Sequence, residues 1–240
     1  MDDFLPRRRI SSGVEKLPRA GAVPRHQHVE PYVTLVLGGA YEQMAYGGRL
    51  VLGEGALVVQ PSFDCHSDRM ISDGLVLLRL PWRRDMSLGG VYRGCDLDPI
   101  RRAAERDVAE AVGLLGEHLA TRSPEPPVAR HWTDRLAAEL VGNTTLSVGD
   151  WAESAGLARE TVARGFTAAY GVGPARFRFE IRARQAWAAC AAGAAELAEI
   201  AQDLGFSDQP HMTRAVKWLT GRTPAAWRRE KALSTGVASV

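Results

Sequence analysis

The fold of this protein is decided by the stretch Glu196-Leu-Ala-Glu-Ile-Ala-Gln-Asp-Leu-Gly-Phe-Ser-Asp-Gln-Pro-His-Met-Thr-Arg-Ala-Val-Lys-Trp-Leu-Thr-Gly-Arg-Thr-Pro-Ala-Ala-Trp227. In its first part, apolar residues recur at the spacing of a helix that buries one face, namely Leu197, Ile200, Ala201 and Leu204. Gly205 follows in the position that a left-handed residue takes where a helix ends. A short helix followed by a glycine turn is therefore expected.

A second helix is expected directly after this turn. Ser207 is predicted to cap its N-terminus, Asp208 adds a negative charge at the positive end, and Pro210 fits in the first turn. The predicted buried stripe consists of Met212, Val216 and Leu219, and the polar residues on other faces are Gln209, His211, Arg214 and Lys217. Two short helices joined by a tight turn predict a helix-turn-helix, with a plain helical hairpin as the alternative.

The motif Ile200-Ala-x-x-Leu-Gly-Phe-Ser-Asp-Gln-x-His-Met-x-Arg-Ala-x-Lys217, followed by Gly221-Arg-Thr-Pro224, resembles the C-terminal signature of the AraC/XylS family of bacterial transcription regulators. The resemblance implies a sequence-specific regulator that binds promoter DNA as a double strand. It also implies a small-molecule effector, contact with RNA polymerase as an activator, a homodimer and a cytoplasmic location. The sequence leaves the effector, the promoter and the choice between activation and repression open.

An upstream stretch repeats this unit. Gly171-Val-Gly-Pro174 matches Gly221-Arg-Thr-Pro224 about fifty residues earlier, which indicates an internal repeat. Ser147 opens a capping box with Asp150, and a recognition helix is predicted within residues 157–171. Two features depart from the family pattern, because Ala158 stands at the N-cap and Gly165 lies in mid-helix. Each costs up to about 1 kcal/mol, so the first recognition helix is predicted to be looser and to read fewer bases.

The outward residues of both predicted recognition helices are the candidate DNA contacts. Arg164 and Arg214 occupy corresponding positions, and arginine can bond guanine through two hydrogen bonds in the major groove. By resemblance, the candidates are Arg159, Glu160, Thr161, Ala163 and Arg164 in the first unit, and Gln209, His211, Thr213, Arg214 and Lys217 in the second. Arg159, Thr213 and Lys217 are expected to contact phosphates. The alternative for each is a solvated side chain.

A long helix is predicted over residues 174–191, between the two units. At about 1.5 Å per residue it spans roughly 27 Å, close to the roughly 34 Å that separates successive major grooves on one side of DNA. The sequence therefore predicts that one chain holds two recognition helices in neighbouring grooves.

Composition sets the remaining limits. The chain has 240 residues, 45% apolar and 24% charged, which is enough for two soluble domains. Its net charge is only +2, but residues 159–231 carry twelve Lys/Arg against seven Asp/Glu, a modest footprint for DNA. No apolar run reaches the ~18 residues of a membrane span, and Arg7-Arg8-Arg9 is followed by no signal-like apolar segment. The three scattered cysteines suit a reducing cytoplasm.

The N-terminal part has the pattern of an all-β domain. After an extended lead-in over residues 1–20, short strand-like runs occur at 33–37, 49–52, 56–59 and 75–78 with glycine turns between them, and the domain is expected to end within 81–96. This pattern predicts a small barrel or sandwich, and the barrel is the preferred interpretation. The fold class is thus α+β, with an N-terminal cupin-like β-barrel, a helical connector and a C-terminal all-α domain with two helix-turn-helix units.

Two histidine motifs lie within these strands. Gly21-x4-His26-Gln-His28-x9-Gly38 and Gly55-x5-Pro61-x4-His66 resemble the two motifs of a cupin barrel, the usual N-terminal partner domain in the AraC/XylS family. Residues two apart on a strand share a face, so the histidines are expected to converge inside. They could hold Zn²⁺ or another divalent metal, or line an effector pocket without metal, and both remain open. If metal binds, its affinity should fall below pH ~6.5, as the histidines protonate.

The fourth ligand of a metal-binding cupin is missing from this motif. Tyr32 stands where the carboxylate is expected, while Glu30 has the right parity beside Pro31. The expected effector pocket comprises His26, His28, Tyr32, Gln60 and His66. An enzyme is not expected, because the ligand is missing, a DNA-binding half is fused to the domain, and the adjacent Cys65 and His66 point to opposite faces. A barrel whose DNA-binding half is vestigial is the alternative function.

A connector is predicted between the two domains. Residues 99–120 form an amphipathic pattern, either packed on the barrel or used for dimerisation, and Ser123-Pro-Glu-Pro-Pro127 is a semi-stiff linker. The expected domains are therefore 1–98, 99–127 and 128–240.

Overall fold

The computed structural model describes residues 6–17, 21–82, 90–126, 129, 131–193 and 195–236. The chain forms two compact units, Pro6–Arg130 and His131–Val240, and each is described by itself. Several predictions fall partly outside the described residues. They concern positions 1–5 and 18–20 of the lead-in, positions 83–89 near the end of the β-domain, and residues 127 and 128 at the expected domain boundary.

The first unit contains ten strands in its described part. They are β1 (Arg7–Arg8), β2 (Gly13–Leu17), β3 (Gly21–His28), β4 (Tyr32–Gly38), β5 (Ala40–Ala45), β6 (Gly48–Gly53), β7 (Leu57–Gln60), β8 (Cys65–Met70), β9 (Leu75–Pro81) and β10 (Gly90–Tyr92). Sheet I has the order β1-β3-β8-β5-β6, and sheet II the order β10-β7-β4-β9-β2. The expected α+β class with an N-terminal β-domain and a C-terminal helical domain is confirmed, but the β-domain is not a closed barrel, because no described strand pairs one sheet with the other. The other form allowed by the sequence, a pair of sheets, is what the chain adopts.

Strand β4 shows how the two layers of core arise. Its alternate residues Val33 and Leu35 join a cluster that includes Ile100, Ala111 and Leu115 from two helices. Its residue Val36 instead joins a cluster that includes Tyr41 and Leu52 of sheet I. Since neighbouring residues of a strand face opposite ways, sheet II is covered by sheet I on one face and by helices on the other.

These helices are α1 (Asp98–Ala104) and α2 (Val108–Ala120), where the sequence predicted one helix over 99–120. The break has a local cause, because the Asp107 carboxylate accepts a bond from the backbone N–H of Ala109 (2.8 Å) and starts a new helix. The predicted apolar stripe is buried in the core of the unit, with Ile100, Ala103, Ala111, Leu115 and Leu119 at most 2% exposed. Of the two roles that the sequence left open, packing within the chain is the one observed for these side chains.

The second unit is all-α in its described part. Its helices are α3 (Trp132–Gly142), α4 (Val148–Ser154), α5 (Arg159–Tyr170), α6 (Pro174–Ala192), α7 (Leu197–Asp203), α8 (Gln209–Thr220) and α9 (Pro224–Gly236). Helices α4–α5 and α7–α8 repeat the same unit. Gly156 and Gly205 both have φ near +70° at the turn between the paired helices, a conformation that favours glycine. Among the described residues, no helix has both the length and the apolar character needed to cross a bilayer.

Helix α6 joins the two repeats, one residue longer than predicted. Its 19 residues correspond to about 28 Å. It buries Phe177 against Phe166 and Tyr170 of the first repeat, with ring centroids 5.2 Å from each. Near its other end, Trp187 lies 5.8 Å from Trp227 of α9. Helix α6 is therefore a central element that packs on both sides rather than a bare spacer.

Candidate DNA-binding surface and effector site

The second recognition helix, α8, begins at an aspartate cap. Asp208 is the N-cap, and its carboxylate accepts a bond from the backbone N–H of His211 (2.6 Å). The prediction that Ser207 caps the helix is wrong by one residue, since the chain enters the helix one position later. The Ser207 hydroxyl lies instead 3.0 Å from Nδ1 of His211. The start of α8 is thus held by two side chains that both converge on His211.

Helix α8 separates an apolar face from a polar one. Met212, Val216 and Leu219 are fully buried, as predicted. Of the predicted DNA contacts, Gln209, Arg214 and Lys217 are exposed, while His211 and Thr213 are half-buried. The ring of His211 lies against Phe206, with centroids 5.2 Å apart. The exposed polar residues leave one side of α8 open to a partner.

The first recognition helix, α5, has the same division. Val162 and Phe166 are fully buried. All five predicted DNA contacts of the first repeat are exposed, namely Arg159, Glu160, Thr161, Ala163 and Arg164. Arg164 stands sixth in α5 and Arg214 sixth in α8. The two arginines therefore hold equivalent places on two equivalent exposed faces.

The mid-helix glycine of α5 has a packing role that the sequence did not reveal. A Cβ on Gly165 would lie 2.6 Å from Cζ2 of Trp132, which is closer than real side chains approach. Trp132 belongs to α3 and lies across this position. The prediction of a looser helix overlooked this indole, because its contact with α5 is made across 33 residues of sequence. At the N-terminus the expectation holds, since Ala158 provides no side-chain cap.

Two arginines of α6 bind backbone carbonyls of the neighbouring loops. The Arg178 guanidinium donates to the carbonyl of Leu146 (2.9 Å). Arg182 donates to the carbonyls of Thr144 (2.5 Å) and Gly205 (3.1 Å). Gly205 forms the turn of the second repeat, and Thr144 lies in the loop before the first. One side chain therefore ties the central helix to both repeats, and only the three-dimensional structure shows this role.

In the first unit, the three predicted histidines meet between the sheets. His26 and His28 come from β3 and His66 from the adjacent strand β8, where His26 and His66 are register partners. Their ring centroids lie 4.4–5.4 Å apart, and each residue is at most 5% exposed. One ligand nitrogen from each lies within 4.8 Å of the others. The three side chains share one face because His26 and His28 are alternate residues of β3 and His66 is the register partner of His26.

Each histidine is oriented by a backbone carbonyl. Nδ1 of His26 lies 2.9 Å from the Pro24 carbonyl, and Nδ1 of His28 lies 2.8 Å from the Arg8 carbonyl. Nδ1 of His66 lies 3.3 Å from the carbonyl of Asp64. A carbonyl only accepts, so each Nδ1 carries the proton and each Nε2 keeps a basic lone pair. Three imidazoles with donating Nδ1 and basic Nε2 form the usual outer-shell pattern of metal-binding histidines.

A carboxylate that the sequence analysis missed lies beside this cluster. Oδ2 of Asp68 is 3.9 Å from Nε2 of His66, and its Oδ1 accepts a bond from Gln43 (3.0 Å). The amide of Gln60 donates in turn to Gln43. Asp68 follows His66 by two residues on β8, so strand parity could have identified it. Gln60 was expected to line a pocket and is in fact part of this buried network.

The remaining predicted residues lie on different sides of the cluster. Tyr32 is buried, its ring lies 4.7 Å from that of His28, and its hydroxyl is 3.4 Å from Nε2 of His66. Glu30, the alternative carboxylate, is exposed. Tyr32 therefore belongs to the histidine cluster, and Asp68 rather than Glu30 brings a carboxylate to it.

Burial keeps the histidines neutral. It lowers the pKa of His26 and of His28 to about 4, assisted by positive charge from Arg8, and it lowers the pKa of His66 well below its usual value. Burial also raises the pKa of Asp68 to about 6. The sequence placed the loss of ligand capacity below pH ~6.5. These shifts move it to lower pH, because the lone pairs persist until the imidazoles protonate.

The donor set fits a divalent ion. Zinc bonds imidazole at about 2.0–2.1 Å, which places tetrahedral ligand atoms about 3.4 Å apart. The three nitrogens lie within 4.8 Å, so they reach that spacing after movements of the order of 1 Å. The same three lone pairs could instead accept hydrogen bonds from a small polar molecule. The arrangement therefore suits a binding site with nitrogen ligands.

The comparisons with known proteins bear chiefly on the second unit. A family model described as a helix-turn-helix domain matches residues 151–230, which run from within α4 into α9. No curated protein matches the chain. The chain thus carries a helix-turn-helix domain of the AraC type at its C-terminus.

Among solved structures, the chain is similar to fatty-acid-bound ToxT from Vibrio cholerae, with 11% identity, 90% of this chain and 93% of that chain covered, and a TM-score of 0.41. It is also similar to the C-terminal domain of AraT, a response regulator from Geobacillus stearothermophilus, with 20% identity over 41% and 84% of the chains and a TM-score of 0.38. An AraC-type transcriptional regulator from Chromobacterium violaceum shows 24% identity over 40% and 88%, with a TM-score of 0.38.

Proposed function

We propose that this helix-turn-helix protein is a sequence-specific transcription regulator whose first unit senses a chemical signal. One observation carries the proposal. Arg164 and Arg214 occupy the same exposed place in two repeated recognition helices whose opposite faces are buried. Outward arginines on such helices can bond guanine in the major groove. Repetition of the arrangement supports a surface selected for DNA contact rather than a solvated helix face.

The two repeats are proposed to bind one side of promoter DNA. Helix α6 corresponds to about 28 Å between them, near the spacing of successive grooves. Base contacts are assigned to Arg164, Arg214 and their outward neighbours, and phosphate contacts to Arg159, Thr213 and Lys217. His211 is less free than these residues to reach a base, because Ser207 and Phe206 hold its ring.

The test is selection of bound sites from genomic DNA fragments by the full-length protein. A regulator should enrich a motif that contains two half-sites about one helical turn apart. If the bound fragments share no motif and the affinity depends only on salt, the second unit binds DNA through charge alone and without sequence specificity.

The signal is proposed to bind at His26, His28 and His66. The three available lone pairs support either Zn²⁺ or another divalent metal, or a polar effector that donates hydrogen bonds. If metal binds, His26, His28 and His66 would hold it, and it would supply a Lewis acid to an effector oxygen. Elemental analysis of untagged protein purified without chelator separates these cases, because about one metal per chain is expected in the first and none in the second.

The metal assignment has a matched control. His118 also belongs to the first unit but lies on α2, apart from the cluster. Replacing His66 by Gln should abolish bound metal, whereas His118→Gln should leave it unchanged. Equal loss in both variants would mean that the metal is bound adventitiously.

The proposal also assigns roles to the three segments of the chain and an oligomeric state. We place residues 1–98 as sensor, 99–127 as connector and 128–240 as the DNA-binding segment, acting in the cytoplasm with RNA polymerase as a partner. A homodimer is proposed as the active form. The stripe of α1 and α2 is buried within the chain, so a dimer must use another surface. Sedimentation of the full-length protein, with and without DNA, measures the oligomeric state.

A further inference from the structure

A large cavity opens beside the histidine cluster of the first unit. Its volume is about 640 Å³, within the range of roughly 300–1,000 Å³ typical of small-molecule sites. It shares His28 and Tyr32 with the cluster. The cavity is therefore continuous with the proposed sensory site and large enough for an organic ligand.

The charge on the cavity wall is strongly one-sided. Among the lining residues that the structure describes, three are the consecutive arginines Arg7, Arg8 and Arg9 and one is a carboxylate, Glu30, so these residues carry two positive charges in excess. Within the described part of the chain, neither the Arg8 nor the Arg9 guanidinium has a carboxylate partner. Arginine binds carboxylate and phosphate oxygens through paired hydrogen bonds. This wall is suited to an anion.

Strand geometry directs one arginine towards the cluster. Strand β1 pairs in parallel with β3, and Arg8 is the register partner of His28. Partners in a parallel pair share a face of the sheet, so the Arg8 side chain lies on the same face as the His28 ring. The field of Arg8 reaches the histidines, since its charge contributes, after burial, to the low pKa of His26 and His28. An anion bound beside Arg8 would be stabilised by this charge.

Besides the polar residues Ser12, His28 and Tyr32, the wall has an apolar part. Ile10, Val29, Pro31 and Pro81 line the cavity, and Val29 is 37% exposed. A fully hydrated ion such as free phosphate leaves this surface unused. A ligand with a charged head and an apolar body would cover both parts of the wall.

We propose that this cavity binds a small organic molecule that carries an anionic oxygen head group, a carboxylate or a phosphate, on an apolar body. The head group contacts Arg8 and Arg9, and the body lies along Ile10, Val29 and Pro81. This inference rests on the proposed sensory function of the first unit and names the chemical class of its effector.

The test is calorimetric titration of the full-length protein with three probes that share one apolar body. They are 4-phenylbutyrate, 4-phenylbutyl phosphate and the neutral 4-phenylbutyramide. Both anions, or one of them, should bind, and the amide should bind at least about tenfold more weakly. Whichever anion binds more tightly identifies the head group. Equal affinity for the amide, or failure of both anions to bind, would overturn the proposal.

Two double variants make the test specific. Arg8→Gln with Arg9→Gln should weaken anion binding roughly tenfold or more, because two charge-assisted contacts are lost. Arg101→Gln with Arg102→Gln removes the same charge from helix α1 and should leave binding unchanged. If both double variants weaken anion binding equally, the effect comes from net charge and the proposed site is wrong.

DNA binding is measured in parallel on the same preparations. If an anion binds with this profile but DNA affinity and site choice do not respond, the ligand class stands and the regulatory function fails. If selected DNA is bound and no anion binds, the proposed function stands and the assignment of the effector class fails.

Discussion

In the second repeat, recognition helix α8 starts at the Asp208 cap, whereas α5 in the first repeat starts at Ala158 with no side-chain cap. The first repeat is held instead by contacts with α3. The ring of Trp132 occupies the space beside Gly165, and the Tyr170 hydroxyl donates to the Asp134 carboxylate (2.9 Å). The start of α8 is therefore capped within its own repeat, whereas α5 packs against a helix that precedes its repeat.

This difference teaches that a departure from a sequence pattern does not by itself mean a weaker element. Gly165 lowers the helix propensity of α5, but it also admits a large aromatic ring. At one position the outward face of α5 still offers less to DNA, since Ala163 stands where α8 has Thr213. We expect the two repeats to be similarly rigid and to differ mainly in what their exposed faces can bond.

The largest expected effect is on base readout. Arg214→Ala should lose about 1–3 kcal/mol of discrimination at one base pair, because two hydrogen bonds to guanine are lost. Arg164→Ala should lose less, since its neighbours Ala163 and Gly165 make few other contacts that fix the helix on DNA. Binding to a selected site and to single-base variants of it, measured at fixed salt, separates the two.

Lys217→Ala is the control for that comparison. A phosphate contact should lower affinity about equally on all sequences and reduce the salt slope by about one. If Arg214→Ala behaves in this manner as well, its assignment to a base is wrong.

The next effect concerns the packing that replaces helix propensity in the first repeat. Gly165→Ala should destabilise α5 by about 1–3 kcal/mol, because the new methyl group overlaps the Trp132 ring. Hydrogen exchange of the α5 amides should rise, while that of α8 should not. Adding Trp132→Ala to this variant removes the overlap with the new methyl group. The double variant should therefore recover slow exchange of the α5 amides, although Trp132→Ala costs stability elsewhere.

Ala215 provides the matched position in α8. Ala215→Gly should cost about 1 kcal/mol through helix propensity and the loss of a buried methyl group. If Gly165→Ala instead stabilises α5 by a similar amount, Trp132 does not restrict the site.

Coupling between the repeats is the third test. Arg182 bonds carbonyls in the loop before the first repeat and in the turn of the second. Arg182→Met should weaken binding to DNA with both half-sites and should broaden the tolerated spacing between them. Binding to either half-site alone should change little, because each recognition helix keeps its own face.

Arg184→Met on the same helix serves as control, with no expected change in spacing tolerance. A loss in Arg182→Met that is equal for single and paired half-sites would indicate general unfolding rather than positioning.

Much of this architecture follows from local patterns, and the rest depends on contacts distant in sequence. Helical periodicity and glycine turns place both repeats, and strand parity brings together His26, His28 and His66, because these signals lie within a few residues. The pairing of strands into two sheets depends on which edges meet. The contact of Trp132 with Gly165 depends on how α3 folds back. Neither the strand pairing nor this contact can be predicted from the spacing of residues in the sequence.

Asp68 marks the boundary between these cases. It shares parity with His66, so the sequence contained the signal, but the search for a ligand followed a family pattern that placed the carboxylate near Tyr32. Strand parity follows from backbone geometry, whereas the family pattern comes from other proteins. Here the two point to different positions, and strand parity identifies Asp68.

The smallest expected effect is at the missing cap. Ala158 already has the extended backbone of an N-cap, with φ −66° and ψ 143°. Ala158→Ser should therefore supply an acceptor for a free N–H of the first turn and stabilise α5 by up to about 1 kcal/mol, whereas Asp208→Ala should destabilise α8 by about the same amount. Exchange rates of the first-turn amides of each helix measure both changes, and DNA specificity should not move, because neither change alters an arginine of the exposed faces. If Ala158→Ser leaves the α5 amides unchanged while Asp208→Ala accelerates those of α8, the first repeat satisfies its N-terminus by other means. The dependence on α3 would then extend to the start of the helix.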